Sequence, residues 1–337
     1  MDGTIMEFEK IGWMNGVTIA TKDVKLVFDP VKSRRIKEDE HVFISHAHSD
    51  HTYGFYSKSK KYSTIETKKI YEAIKGKNVL NYNELKIGKR LRIDDVEIIP
   101  LNAGHMLGST QFKIFLPEKT IVYTGDINCV DTLTSKAADE VDCDELIIEA
   151  TYGDPYFIFP DRERIYAKIV DWTMEQIKRN RVPTFHVYAA GKAQEIIKLF
   201  DLYTKLKVVL HPLTSKVCKV YSESGIKLNC EDFKSSFFDF PCVHVTTLST
   251  SLFSRAKTVN ALATGWALKF PVDKSINAFP LSSHADFEQL LQFVKRTKAK
   301  TVYTFVGFKE TFASILERRL NVVAKPLPII TQKPLYD

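Results

Sequence analysis

Three imidazoles and a carboxylate fall within six residues in Ser45-His46-Ala47-His48-Ser49-Asp50-His51. Borderline-soft divalent ions such as zinc take imidazole nitrogen, with carboxylate oxygen as a partner. The segment directly follows the apolar run of HVFISH (41–46), which reads as a short strand. A loop leaving a strand turns alternate side chains to one side. His46 and His48 would then face one ion, and Asp50 and His51 a second one nearby. A solvated polar turn is the bland alternative; it suits a lone histidine better than a pattern this long. Two further pieces come in order. His105 stands between glycines in Gly104-His105-Met106-Leu107-Gly108-Ser109, and Asp126 ends the strand TIVYTGD, where a carboxylate is placed to bridge two ions. Alone, either residue would pass for an ordinary turn residue.

The elements that must hold these groups change character along the chain. Up to about residue 150 the sequence reads mostly as strands: VTIAT (17–21), KLVFDP (25–30), two strands around Asp94-Asp95 within 90–101, and a hairpin over 110–126. Beyond Pro155 helices and strands alternate. Asp161 caps a helix to about Asn180, TFHVYAA (184–190) is a strand, and a helix starts at Lys192. KVVLHP (207–212) is a strand, a helix starts at about Ser215, and TVNALAT (258–264) is a buried strand. Such alternation predicts a parallel sheet flanked by helices. From about residue 280 come INAFPLSS, a helix from Asp286, the strand TVYTFVG (301–307) and a last helix to about Leu320. Neither a repeat nor a flexible linker intervenes, so one domain inserted in another is expected.

The 337 residues suit two joined domains, with 44% hydrophobic and 26% charged content. Nothing approaches the roughly 20 uninterrupted apolar residues of a membrane span, and MDGTIMEFEKIGW lacks a signal-peptide pattern. Cys129, Cys143, Cys218, Cys230 and Cys242 are scattered and form no CxxC pair, which fits free thiols in the cytoplasm. The formal charge of +7 is compatible with a polyanionic partner.

FDP (28–30), SHAHSDH (45–51), GHMLGS (104–109) and TGD (124–126) resemble the successive motifs of the metallo-β-lactamase superfamily. The resemblance implies an α/β fold, an αββα sandwich with a metal centre at one edge of its sheets. It implies that His46, His48, His105 and Asp126 hold a first metal, that Asp50, His51 and the shared Asp126 serve a second, and that Asp29 supports the site without ligating. LIIEATYGDP (146–155) and PLSSHAD (280–286) resemble the acidic and histidine motifs of the β-CASP branch, whose members are nucleases, with Glu149 and His284 as the acid and the histidine. Domains of 1–155 and 279–337 would form the core, with a β-CASP cap over 156–278. GKAQ (191–194) and ATGW (263–266) resemble segments of DNA-ligase-associated exonucleases and of archaeal relatives of messenger-RNA 3′-end processing factors. One departure stands out. Many branch members carry a third late histidine that ligates the second metal, and here Val306 takes that place, as in the branch's DNA-repair group.

The implied chemistry is hydrolysis of a nucleic-acid phosphodiester by water activated at zinc, with manganese as the alternative ion, one site well bound and a second weaker. Asp50 and Asp126 would orient the water, and His284 would protonate the leaving oxygen. Glu149 would hold a ligand imidazole such as His51 in its tautomer. Lys192 and Ser283 are the candidate contacts with nucleic acid. Lys192 is either a phosphate contact at a helix N-terminus or an ordinary surface lysine. Ser249 to Ser254 with Arg255 form a weaker candidate for backbone contact. Tyr152, Tyr156, Phe157 and Phe159 would stack on bases or, preferably, pack at the domain junction. His41, His186, His211 and His244 are expected to be structural or surface residues. Single-stranded DNA is the favoured partner and RNA the second, with repair or RNA-processing proteins as further partners and no membrane; the oligomeric state is not legible. The rivals are a small-molecule hydrolase such as a thioesterase or lactonase, and a catalytically impaired binding scaffold.

Overall fold

The computed structural model describes residues 9–232, 241–248, 257–269 and 276–330. Short amphipathic segments build a first sheet whose strands lie side by side in chain order: β1 (Lys10–Trp13), β2 (Val17–Ala20), β3 (Lys25–Phe28), β4 (His41–Phe43), β5 (Lys60–Ser63) and β6 (Tyr82–Glu84). α1 (Ile65–Lys75) joins the last two. Thr64 caps it by accepting from the Thr67 amide, and Gly76 ends it in the left-handed region. A second sheet opens with the antiparallel run β7 (Leu91–Ile93), β8 (Val96–Asn102), β9 (Thr110–Phe115) and β10 (Thr120–Tyr123), followed by β11 (Glu145–Glu149) parallel to β10.

The chain then leaves this core. α2 (Arg162–Lys178), β12 (Val182–Val187), α3 (Lys192–Tyr203), β13 (Lys207–Leu210), α4 (Pro212–Glu223), β14 (Glu231–Asp232), β15 (Cys242–Thr247), β16 (Thr258–Ala263) and β17 (Ile276–Phe279) form a cap around a third sheet. Its order is β14-β13-β15-β12-β16-β17, and every pairing is parallel. The chain returns through α5 (Phe287–Thr297), β18 (Thr301–Phe305), α6 (Lys309–Leu320) and β19 (Val323–Pro326). β18 pairs with β11, and β19 with β18, both parallel.

Apolar faces fix the layers. Phe28 and Phe43 from the first sheet meet Phe112, Ile114 and Tyr123 from the second. The far face of the second sheet takes α5 and α6 through Leu290, Val294, Phe312 and Leu316. Val42 and Ile44 on the far side of the first sheet meet Tyr71 of α1. This is the αββα sandwich that the sequence resemblance implies, with an α/β cap between β11 and β18. The cap has its own core, with Ile165, Ile169, Phe185, Phe200 and Val243, and its sheet ends at Phe279. It also closes onto the first half, where Val217 and Tyr221 of α4 pack with Ile70, Ala47 and Met106. Among the described residues no helix is long and apolar enough to cross a membrane.

Three details differ from the sequence reading. The stretch read as mostly strands contains α1, whose buried stripe of Thr67, Ile70 and Tyr71 is narrow. β14, β15 and β19 lie in segments given no element. α4 begins at Pro212 and not near Ser215, because the His211 side chain accepts from the Leu213 amide and a proline at the first helical position leaves no amide unpaired. Ser249 to Ser254 and Arg255 lie outside the described residues.

Two consecutive residues after β18, Val306 and Gly307, hold φ of 52°. At Gly307 this is required. A Cβ there would collide with the Ala150 carbonyl oxygen and the Thr151 Cα, which follow β11 directly. Gly307→Ala is expected to destabilise the chain by roughly 2 kcal/mol or more, read as a drop in the denaturant midpoint, because both strain and overpacking act at one residue. An unchanged midpoint would show that the two strand ends are not locked together.

Candidate metal centre

The candidate side chains gather at strand ends and in the loops that follow them. His46, His48, Asp50 and His51 follow β4, His105 lies in the β8–β9 connection, Asp126 follows β10, Glu149 ends β11, and His284 precedes α5. The inner set converges. His46 Nε2 and His105 Nε2 each lie 3.1 Å from His48 Nδ1. Asp126 Oδ2 is 3.4 Å from His46 Nε2 and 3.8 Å from His105 Nε2.

The far side of each ring fixes its tautomer. His105 Nδ1 meets the Ser283 carbonyl oxygen at 2.8 Å and His48 Nε2 meets the Ala190 carbonyl oxygen at 3.2 Å; a carbonyl only accepts, so both nitrogens carry hydrogen. Ser45 Oγ donates to Asp29 Oδ2 at 2.6 Å, which leaves it to accept from His46 Nδ1 at 3.0 Å. All three remaining lone pairs therefore point at one another. Burial, then the neighbouring imidazoles, hold His46 and His105 well below the usual histidine range. His48 is pushed down to about 4, chiefly by burial. Three neutral donors about 3 Å apart with no proton between them, closed by a carboxylate, form a site for a cation. The edges of a tetrahedral zinc site, set by Zn–N of ~2.0–2.1 Å, are about 3.3 Å. Histidine and aspartate donors fit zinc, and no cysteine lies among the metal-capable groupings of the described residues.

The outer set is looser. His51 Nε2 lies 3.6 Å from both Asp50 Oδ2 and Asp126 Oδ2. The Asp50 side chain is 77% exposed. Val306 lines the same cleft but offers only hydrocarbon. His51 Nδ1 bonds Asp29 Oδ2 at 2.9 Å. Burial opposes a charge on His51, but Asp126 and Asp29 outweigh it and raise its pKa to about 10. Without metal, this imidazolium supplies the positive charge beside Asp126.

Asp29 itself also accepts from the Ser45 amide at 2.7 Å and the Tyr123 hydroxyl at 2.8 Å. It reaches the centre only through Ser45 and His51. Here the sequence reading is corrected: Asp29, not Glu149, holds His51. Glu149 accepts from His284 Nδ1 at 3.0 and 3.1 Å, from the Ile127 amide at 2.7 Å, and from the Thr151 hydroxyl. Glu149 and His284 thus form a hydrogen-bonded pair, and with Asp126 they make a second grouping of side chains close enough to hold a metal. Burial would raise Glu149 and lower His284; their mutual attraction wins, keeping the carboxylate low and raising His284 to about 9. His284 Nε2 lies 3.9 Å from Asp126 Oδ2.

Lys192 is no surface lysine. It is buried in the cleft wall, and its amine has no hydrogen-bond partner. Ser283 lines the same cleft and gives its carbonyl to His105. Tyr152 and Phe157 are core at the domain junction, Phe159 packs on Tyr152, and Tyr156 is exposed. His41 bonds Tyr62, His186 bonds Asn260 and His211 caps α4, all away from the centre. The sequence reading missed the backbone carbonyls of Ala190 and Ser283, which carry no residue-type signal. It gave no role to Tyr188, or to Trp266 of the ATGW segment, both of which line the cleft.

The two sets differ in proton cost. The inner imidazoles are already neutral at pH 7, whereas a second ion has to displace the His51 proton. A first zinc is expected to bind with little pH dependence between pH 7 and 9, and a second to tighten as pH rises. Competition titration with a chelating indicator at several pH values measures both; a pH-independent second site would contradict the His51 assignment.

Comparison with known proteins matches this geometry. The model of the "Beta-lactamase superfamily domain" family matches residues 19–211. The chain is 30% identical over 294 residues to a protein of Opitutus terrae named probable DNA ligase, covering 82% of this chain and 28% of that one. It is 33% identical over 211 residues to Probable RNase MJ4 of Methanocaldococcus jannaschii, covering 52% and 48%. It is 26% identical over 238 residues to cleavage and polyadenylation specificity factor subunit 3 of Dictyostelium discoideum, covering 60% and 29%. The chain thus spans less than half the length of each of these relatives. A crystal structure of a protein of unknown function from Enterococcus faecalis shares the fold, with a TM-score of 0.62 at 16% identity, over 90% of this chain and 93% of that one. With the sandwich, the inserted cap and the four converging donors, these matches establish that the chain belongs to the metallo-β-lactamase superfamily, in its β-CASP branch.

Proposed function

We propose that the chain is a metal-dependent nuclease that hydrolyses phosphodiester bonds, with single-stranded DNA as its preferred substrate. The observation that carries this reading is His284, hydrogen-bonded to Glu149 and facing the same cleft as four converging metal donors. When bound, a divalent ion supplies a lowered pKa for water and positive charge beside the phosphoryl oxygens. Zinc fits the donors, with manganese as the alternative. The residues of the chain do the rest. Asp126, and Asp50 at the mouth, accept hydrogen bonds from the attacking water and orient it. His284 holds its proton at neutral pH and gives it from Nε2 to the departing oxygen. Glu149 keeps that imidazole charged and aimed. The products then carry 5′-phosphate and 3′-hydroxyl ends. Lys192 and Ser283 contact the strand.

DNA is favoured over RNA because Val306 replaces a histidine and because the relative named a DNA ligase aligns with most of this chain. The relative named an RNase makes RNA the second reading. The free thiols fit a cytoplasmic location. A catalytically impaired scaffold would bind nucleic acid without retaining zinc, and a small-molecule hydrolase would cut a simple diester but not a long strand.

Asp126→Ala is expected to abolish cleavage of end-labelled strands and to lose bound zinc while the far-ultraviolet circular dichroism stays unchanged. His284→Gln is expected to keep zinc and lower kcat by about 10²-fold or more. The wild-type rate should hold as pH rises through 8 and fall above about 9, where His284 gives up its proton. Gel analysis of product ends with DNA and RNA in parallel decides the substrate. A fully active Asp126→Ala protein would refute the scheme.

A further inference from the structure

The cap sheet has a topological switch point, and it opens onto the metal centre. β12 and β16 are neighbours in the sheet. From β12 the chain runs through α3 toward β13 on one side, and from β16 it runs to β17 on the other. In open parallel α/β sheets the crevice beyond the carboxyl ends of two such strands is where ligands bind. Here that crevice is walled by Tyr188, Ala190 and Lys192 after β12, and by Thr264, Gly265 and Trp266 after β16. These residues share a cleft of about 290 Å³ with His48, Asp50, Asp126 and His284.

Two features point to an occupant. Tyr188 is 60% exposed, unusual for a ring beside a buried centre. It leans on the ligand ring of His48, centroids 5.3 Å apart at 39°, and the rest of it faces the cleft. Lys192, at the first position of α3, is 6% exposed, with its amine unpaired. Glu195 Oε2 is 3.9 Å away, too far for a hydrogen bond, and Glu195 Oε1 is taken by Arg162 at 2.5 and 2.8 Å and by the Tyr166 hydroxyl at 2.5 Å. A buried amine at a helix N-terminus that faces a cleft, with no hydrogen-bond partner and its nearest carboxylate 3.9 Å away, leaves its donors for an anion in the cleft. The Gly191 and Ala193 amides are already bonded, to Gln194 Oε1 and the Tyr188 carbonyl, so the anion falls to the side chain and the helix dipole.

We propose that this switch-point crevice is a nucleotide subsite of the cap, with Lys192 taking a backbone phosphate and Tyr188 stacking on an unpaired base beside the scissile bond. A base in a duplex cannot expose its face to a ring, so the subsite selects unpaired strands. Burial pulls the free Lys192 amine down to about 7, which an arriving phosphate reverses. The inference deepens the nuclease reading and rests on it for the identity of the ligand.

The test is equilibrium binding of a fluorescent 12-nucleotide single strand to the full chain, read by anisotropy with zinc present and with every protein carrying His284→Gln, which holds zinc but cuts slowly. Tyr188→Ala should weaken binding about tenfold, with Tyr188→Phe near wild type, because the ring face and not the hydroxyl matters. Lys192→Gln should weaken binding and reduce the slope of log affinity against log salt by about one. Tyr203→Ala, an exposed tyrosine at the far end of α3, is the matched control and should bind as wild type. Unchanged binding by both Tyr188→Ala and Lys192→Gln, or an equal loss in Tyr188→Phe, overturns the subsite. A chain that binds with these sensitivities but, with His284 intact, never cuts retains the subsite and overturns the nuclease reading; one that cuts with neither variant affected does the reverse.

Discussion

The metal centre depends on one constraint: each of three imidazoles is held by an acceptor behind it, so that its free lone pair faces the others. Neutral lone pairs gathered this closely repel. Their arrangement is stable only because the rings are anchored elsewhere, and it becomes favourable when a cation enters. The Asp29 carboxylate is the deepest of these anchors. Through Ser45 it fixes His46, it holds His51 directly, and through the Tyr123 hydroxyl it ties the first sheet to the second. Losing such an outer contact commonly costs 10–100-fold in metal affinity.

The other two anchors explain why a nuclease-type cap is part of the centre and not an accessory to it. His48 is oriented by the Ala190 carbonyl, which belongs to the cap, and His105 by the Ser283 carbonyl, on the segment that returns from the cap to the core. The inserted sheet thus contributes backbone to the ligand shell while its switch-point crevice supplies Tyr188 and Lys192 to the same cleft. Packing of Tyr221 and Val217 against Ile70, Ala47 and Met106 keeps this apposition rigid. The candidate metal centre and the cap crevice thus meet at one interface.

The division between what was legible and what was not follows from how each group is specified. The dense His46-to-His51 pattern suggested a metal from residue types and spacing, while the motif resemblance supplied the ligand sets that include His105 and Asp126. The sandwich and the insertion were legible through motif resemblance and through the change in apolar periodicity near Pro155. Partnerships across the fold were not. The Glu149 carboxylate meets His284 and not His51, because β11 and the segment before α5 come together only when β18 pairs with β11. Lys192 read as a surface residue or a helix-end contact, since nothing local shows that it would be buried in the cleft wall. The carbonyls of Ala190 and Ser283 are beyond any reading of residue types. α1 escaped because its apolar stripe is narrow.

The central claim is that His46, His48 and His105 present lone pairs to one ion together with Asp126. X-ray absorption at the zinc edge, on the full chain loaded with one equivalent, tests it most directly. The account predicts a shell of nitrogen and oxygen at about 2.0–2.1 Å with the outer scattering of three imidazoles. A shell with sulfur at about 2.3 Å, or zinc carrying fewer than three imidazoles, would contradict it.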